Sequence, residues 1–243
     1  MAETADKTST ARPLSGEALS QLQEWDAAWA ASAAAMTANP WQNPVLPPRL
    51  LALAALAVSC ACTSLDGPAT SRWIRASLAA GASRAEVLTI IKMATVMSIH
   101  SCSLGAPILL DEAKAAGVAA AGHPPVATPA CDRMRSMGQW NTAWDPFFEL
   151  DPLWTEQVMA AGAAIYASGV FSAKEMELLS IAFDASYTHM YAPGTRRHIR
   201  SALAAGATVE EVFAILKICV AMGAETLNLA IPLLAEAGSD AAG

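Results

Sequence analysis

The stretch TRRHIRSALAAGATVEE, Thr195 to Glu211, decides the fold of this chain. A near copy, TSRWIRASLAAGASRAE, occupies Thr70 to Glu86 at a constant offset of 125 residues. Both copies follow a proline, Pro68 or Pro193, suited to a first helical turn because a helix start leaves its N–H groups unbonded anyway. Both place a glycine, Gly81 or Gly206, where a helix would stop and turn through the left-handed region. Both then carry Ser/Thr-x-x-Glu (Ser83 to Glu86, Thr208 to Glu211), in which the hydroxyl and the carboxylate each satisfy an orphan N–H of a new helix. Each copy therefore reads as helix, turn, helix. The difference with most chemical consequence is Trp73 in the first copy against His198 in the second.

The match extends outward. Trp29 pairs with Trp154, Lys92 with Lys217, Met97 with Met222 and Pro107 with Pro232, and about half the positions from Pro68 to Lys92 are identical to their partners. Two copies are too few for a solenoid. They predict an all-α fold of two tandem helical repeats that bury each other's apolar faces about a pseudo-two-fold axis. The expected organisation is a flexible tail over 1–14, a first repeat over 15–116, a Pro/Gly linker over 117–137 and a second repeat over 138–240. In the first repeat, helices are expected over about 15–38, 48–63, 68–80, 83–98 and 102–116, with NPWQNPVLPP breaking the first. In the second, they are expected over about 154–168 and 172–189, followed by the His198 helix and its successor.

Composition narrows the function. The 243 residues are 54% hydrophobic and 15% charged, which calls for a large core, subunit contacts, or both. A net charge of −7 opposes nucleic acid as a partner, since phosphate binding needs a basic surface. The local basic group Arg196, Arg197 and Arg200 reads either as a solvated helix face or as an anion site for a carboxylate. The start, MAETADKTSTARP, lacks the basic and apolar regions of a signal peptide. The apolar run Leu50 to Cys62 is too short to cross a bilayer, so no membrane partner and a cytoplasmic location are expected. Five cysteines, without a CxxC, read as reduced and mostly buried.

Three segments of the second repeat, ELLSIAF (Glu177 to Phe183), RRHIRSALAAGATVEEV (Arg196 to Val212) and GAETLNLAIPLLAEA (Gly223 to Ala237), resemble the carboxymuconolactone decarboxylase family, which includes the alkyl hydroperoxidase D proteins. In that family a glutamate enters an apolar helix and a histidine follows about twenty residues later; Glu177 and His198 fall on those positions. The peroxidase branch has a CxxC ending four residues before the histidine, where this chain has Tyr191 and Gly194. HIRSAL is similar to the decarboxylase branch, whereas Tyr187 to Gly194 departs from it. The offset maps Glu177 to Ala52 and His198 to Trp73, so one repeat is expected to work and its sister to be degenerate. The resemblance also implies a homo-oligomer, with a trimer of tandem repeats favoured.

Histidine titrates near neutrality and suits a general acid or base. Glu177 would orient or reprotonate it, and which of the two delivers the proton stays open. Tyr191 and Thr195 share the His198 face of the helix and are candidate substrate contacts. His189 is a weaker one. Arg197 and Arg200 point away from that face, Arg200 remaining a candidate through a neighbouring pocket. A lone helical histidine is ordinarily structural. The family position, and the Trp73 of the sister copy, favour a functional one. No metal site or cofactor is expected, because the histidines lack ligand spacing and no glycine-rich phosphate loop is present. Trp140 and Trp144 read as core anchors, with an aromatic pocket as the alternative. The function expected is a cofactor-independent lyase, decarboxylase-like, acting on a small organic acid or lactone. The alternatives are a proton-shuttling isomerase, hydratase or cyclase, an alkyl hydroperoxidase D-like antioxidant protein, and a non-catalytic scaffold.

Overall fold

The computed structural model describes residues 12–42, 44–137 and 140–240. Among them every regular element is helical. The α-helices are α1 (Gly16–Trp25), α2 (Ala27–Gln42), α3 (Pro48–Cys60), α4 (Gly67–Ala79), α5 (Arg84–Val96), α6 (His100–Ala115), α7 (Pro129–Ser136), α8 (Asp145–Leu150), α9 (Pro152–Tyr166), α10 (Ala173–Asp184), α11 (Ala192–Ala204), α12 (Val209–Ala221) and α13 (Glu225–Asp240). The start and stop signals act as expected. Ser172 with Glu175, and Thr208 with Glu211, form complete capping boxes on α10 and α12. Ser83 and Glu86 exchange the same two bonds at the start of α5. Gly81 (φ +92°) and Gly206 (φ +86°) end α4 and α11 in the left-handed region that side chains avoid.

Two compact units are present, one of residues up to Ile91 plus those from Phe171 onward, the other Lys92–Val170. The sequence repeats and the compact units therefore do not coincide. In the first unit, α3 and α10 form the centre. Leu50 to Ser59 of α3 and Leu178 to Asp184 of α10 are buried without a break. Such runs are hydrophobic all round, as a helix covered on every side requires. These two helices are repeat equivalents, and they pack on each other. The hydroxyls of Thr63 and Thr188, themselves equivalents, lie 3.0 Å apart. A residue can touch its own counterpart only at a symmetry axis, so the predicted pseudo-two-fold passes here. On either side of it, Arg49 pairs with Glu86 while Lys174 pairs with the equivalent Glu211 at 2.8 Å. Arg49 also binds Glu175. α4 packs on α3 as α11 packs on α10, and α12 covers α2, α3 and α10.

The second unit has its own core of Ala106, Cys131, Trp144, Phe147 and Met159. Two expectations change here. The linker over 117–137 contains α7, because Cys131 is fully buried and Glu156 accepts from the N–H groups of Ala130 and Cys131. Trp144 is core, and Trp140 stacks edge-on to it at 5.5 Å under the Arg135 guanidinium, so these rings are filled with protein contacts instead of lining a substrate pocket.

The expected first helix is two, α1 and α2, divided at Asp26, and α2 runs on through Pro40. Of the expected tail, residues 1–11 lie outside the described residues. Its end is docked: Leu14 is buried beside Leu22 and Ile231, and Asn228 holds the Pro13 carbonyl and the Ser15 N–H. Two helical stretches, 84–115 and 209–238, are long and apolar enough to cross a membrane by length and composition, with mean hydropathies of 1.5 and 1.7. They exceed the run read from sequence because each joins two helices through a 3-10 turn. The second also carries Glu225, buried and paired with Arg72.

Candidate active site

Glu177 and Asp184 stand seven residues apart on α10, two turns, and so share one face. Gly194 and His198 are four apart on α11 and share another. Packing of α11 on α10 brings the two faces together. His198, 5% exposed, places Nδ1 2.6 Å from Oε2 of Glu177. Nε2 lies 2.9 Å from Nη2 of Arg197 and 3.6 Å from Oδ2 of Asp184. A guanidinium only donates, so Nε2 accepts. Nδ1 then carries the proton and donates to the Glu177 carboxylate. This tautomer is assigned from the bonding pattern.

The electrostatics follow from burial. Burial lowers the His198 pKa, the Glu177 hydrogen bond opposes this, and the Arg197 charge adds to the lowering. The imidazole is neutral at pH 7. Asp184, 2% exposed, has its carboxyl pushed up to about 7 by burial, with Arg197 pulling it down and Glu177 pushing it up. The side chain of Glu177 is the most exposed of the three and marks the edge of the site that faces solvent.

The residues anticipated from sequence divide. His198 and Glu177 meet directly. Thr195 is half-buried, but its hydroxyl donates to the Tyr191 carbonyl at 3.0 Å and turns along its own helix. Tyr191 is half-buried, and its ring is 5.8 Å from that of His189. His189 has a ring nitrogen within 4.8 Å of an Asp184 carboxylate oxygen. Arg200 is exposed. Arg197, expected to point away, instead folds its guanidinium back onto His198, because a long flexible side chain is not bound to its Cβ direction. Asp184 was not anticipated. α10 was expected to continue to about His189, but it ends at Asp184 and the chain reverses through Met190 at φ +48°. The signal that could have found Asp184 is its two-turn spacing from Glu177.

At the equivalent positions of the first repeat, Ala52, Ser59 and Trp73 stand in place of Glu177, Asp184 and His198, while Arg72, the counterpart of Arg197, pairs with Glu225. Trp73 is fully buried and stacks on Trp41 with ring centroids 5.5 Å apart, and the Ser59 hydroxyl bonds back to the Ala55 carbonyl. Trp73 Nε1 has no hydrogen-bond partner among the described residues.

A solved structure of a candidate gamma-carboxymuconolactone decarboxylase subunit from Burkholderia xenovorans LB400 is 30% identical. The match covers 94% of this chain and 93% of that one, with a TM-score of 0.84. The sequence pattern of the carboxymuconolactone decarboxylase family matches residues 152–236. The chain belongs to the carboxymuconolactone decarboxylase family. No curated protein matches it significantly. The segment matched by the family pattern runs from α9 into α13 and contains Glu177, Asp184, Gly194 and His198, whereas the Trp73 copy lies outside it.

Proposed function

We propose that the chain is a cofactor-independent lyase, decarboxylase-like, that acts on a small organic acid or lactone through His198 and Glu177. The observation that carries this is the buried 2.6 Å Glu177–His198 contact with Nε2 turned away from it. Loss of CO2 from a β-keto or vinylogous acid sends an electron pair into the substrate's own carbonyl, and the resulting enolate then needs a proton. A histidine held by a carboxylate supplies that proton, an effect of about 10²–10⁴ in rate. Arg197, which now occupies Nε2, is the group suited to an anionic substrate: moving onto the substrate carboxylate would uncover the imidazole lone pair. Tyr191, Thr195, His189 and Arg200 are kept as candidate substrate contacts around this centre.

The same dyad serves isomerisation, hydration or cyclisation, which move protons without releasing CO2. A thiol peroxidase fits less well: burial pushes the thiols of Cys60, Cys131 and Cys219 up to about 12, far from reactive thiolates. The test is CO2 release from gamma-carboxymuconolactone by the purified chain, His198→Ala and Glu177→Gln. Turnover that survives both substitutions removes the mechanism, and proton exchange without CO2 selects the isomerase class.

The proposal includes a soluble cytoplasmic homo-oligomer, a trimer of tandem repeats first. Its support is that large apolar side chains are exposed at equivalent positions of both repeats: Leu88 and Phe213, Leu104 and Leu229, Ile108 and Leu233.

A further inference from the structure

Four of the positions that differ between the second repeat and its sister lie on the facing sides of α10 and α11. Glu177, Asp184, Gly194 and His198 stand where the first repeat has Ala52, Ser59, Ala69 and Trp73. Three of these changes add an ionisable group. The fourth removes a methyl group, and the structure gives the reason. A Cβ at 194 would overlap the Asp184 carboxylate most severely and would also press on the Tyr191 ring. Gly194 has no positive φ, so no backbone conformation requires glycine there. Its helix would tolerate alanine better, by about 1 kcal/mol of intrinsic propensity, and the sister helix has alanine at that position. Glycine at 194 leaves room for the Asp184 carboxylate, the closer group, and for the Tyr191 ring beside it.

We propose that Asp184 is a further working member of the site, a carboxyl group that holds a proton against Nε2 of His198 and exchanges it with that nitrogen, the missing side chain of Gly194 making room for it. This rests on the reading of His198 as the acid–base group. Asp184 acts through His198 and is a positioning residue. After Arg197 leaves Nε2, the Asp184 O–H bond breaks and an Nε2–H bond forms, giving a carboxylate beside an imidazolium whose Nδ1–H stays on Glu177. The substrate's C–C bond breaks, CO2 leaves, and the electron pair enters the conjugated carbonyl. The enolate carbon then takes the proton from Nε2. Water returns one proton to Asp184, so each turnover consumes one. The groups around Asp184 suit this. His198, on α11, stands 3.6 Å away, and Arg197, on the same helix, and Glu177, on α10, act on it with opposite charges. His189 lies within 4.8 Å. From α12, the Cys219 thiol donates to the Ala182 carbonyl and stays neutral, since burial pushes it up to about 12.

The experiment compares the full chain with Asp184→Asn and with the double variant Asp184→Ser/Gly194→Ala. The latter installs the pair that the first repeat already folds around. The His198 ring is titrated by NMR with labelled histidine, which needs no substrate, and kcat on gamma-carboxymuconolactone is measured against pH. In the wild type the ring responds to a step near pH 7, as a coupled pair does. In both variants that step is expected to vanish, kcat to fall about a hundredfold, and the corresponding limb of the pH–rate profile to disappear. A His198 titration unchanged in the double variant, or an unchanged pH–rate profile, overturns the proposal. If His198→Ala abolishes turnover while the Asp184 variants keep the wild-type titration and profile, Asp184 fails and the His198 reading stands. If His198→Ala keeps full turnover, that reading fails first.

Discussion

Asp184 has a raised pKa in the fold, so folding favours its protonated form. Unfolded, it would lose its proton near 3.8, as an ordinary aspartate does; folded, near 7. Between those values the native state binds more protons, and stability falls as pH rises. His198 has the opposite sign: its lowered pKa means that stability is lost as pH falls below about 6.5, where the unfolded ring charges and the buried one resists. Asp184→Asn is therefore expected to raise the melting temperature relative to wild type at pH 8–9, with the gain shrinking toward pH 4. Thermal melts across that range check it, and a difference that does not vary with pH contradicts the burial assigned to this carboxyl. Glu211 adds a third dependence. Its hydrogen bond from Lys174 holds it below the usual carboxylate range against the opposing effect of burial, and that contribution is lost as pH falls through its folded pKa.

The elements that hold these residues were largely legible in the sequence, since their signals are local. Pro68, Pro193, Gly81, Gly206 and the Ser83–Glu86 and Thr208–Glu211 boxes act within one turn of chain, and each sits where it was read. Gly206→Ala is expected to cost about 1 kcal/mol or more, because φ +86° strains any side chain. Thr208→Ala should cost about 1 kcal/mol through loss of the cap on the Glu211 N–H. Leu53→Ala, in the fully buried centre of α3, should cost about 2–5 kcal/mol through the cavity it leaves. Chemical denaturation of the three variants checks the order, core above cap and turn. What the sequence did not disclose depended on tertiary contact. The short α7 is held by Glu156 from another helix. The end of α10 at Asp184 was hidden by an apolar pattern that continues past it. The fold-back of Arg197 is a rotamer choice made by its neighbour. The pairing of Asp184 with Gly194 needs two helices in place before either residue has a reason.

At the scale of the molecule, duplication makes the chain its own control. The sister repeat keeps the helices, the Gly81 turn and the Ser83–Glu86 cap, and fills the site with Trp73 stacked on Trp41. The fold therefore does not need His198 or Glu177, which supports the chemical role proposed for their pairing. The matching exposed apolar positions extend the comparison to assembly. A Phe213→Glu/Leu229→Glu double substitution is expected to shift sedimentation toward the monomer, and an unchanged sedimentation coefficient would separate that apolar surface from the oligomer contact. The central claim is that the His198–Glu177 pair carries out proton transfer on a small acid in the second repeat alone. The most direct measurement is CO2 release from gamma-carboxymuconolactone by the folded wild type, by His198→Ala and by Trp73→Phe at the equivalent position of the first repeat. The account predicts loss of at least about a hundredfold in His198→Ala and wild-type chemistry in Trp73→Phe; full CO2 release by folded His198→Ala would contradict it.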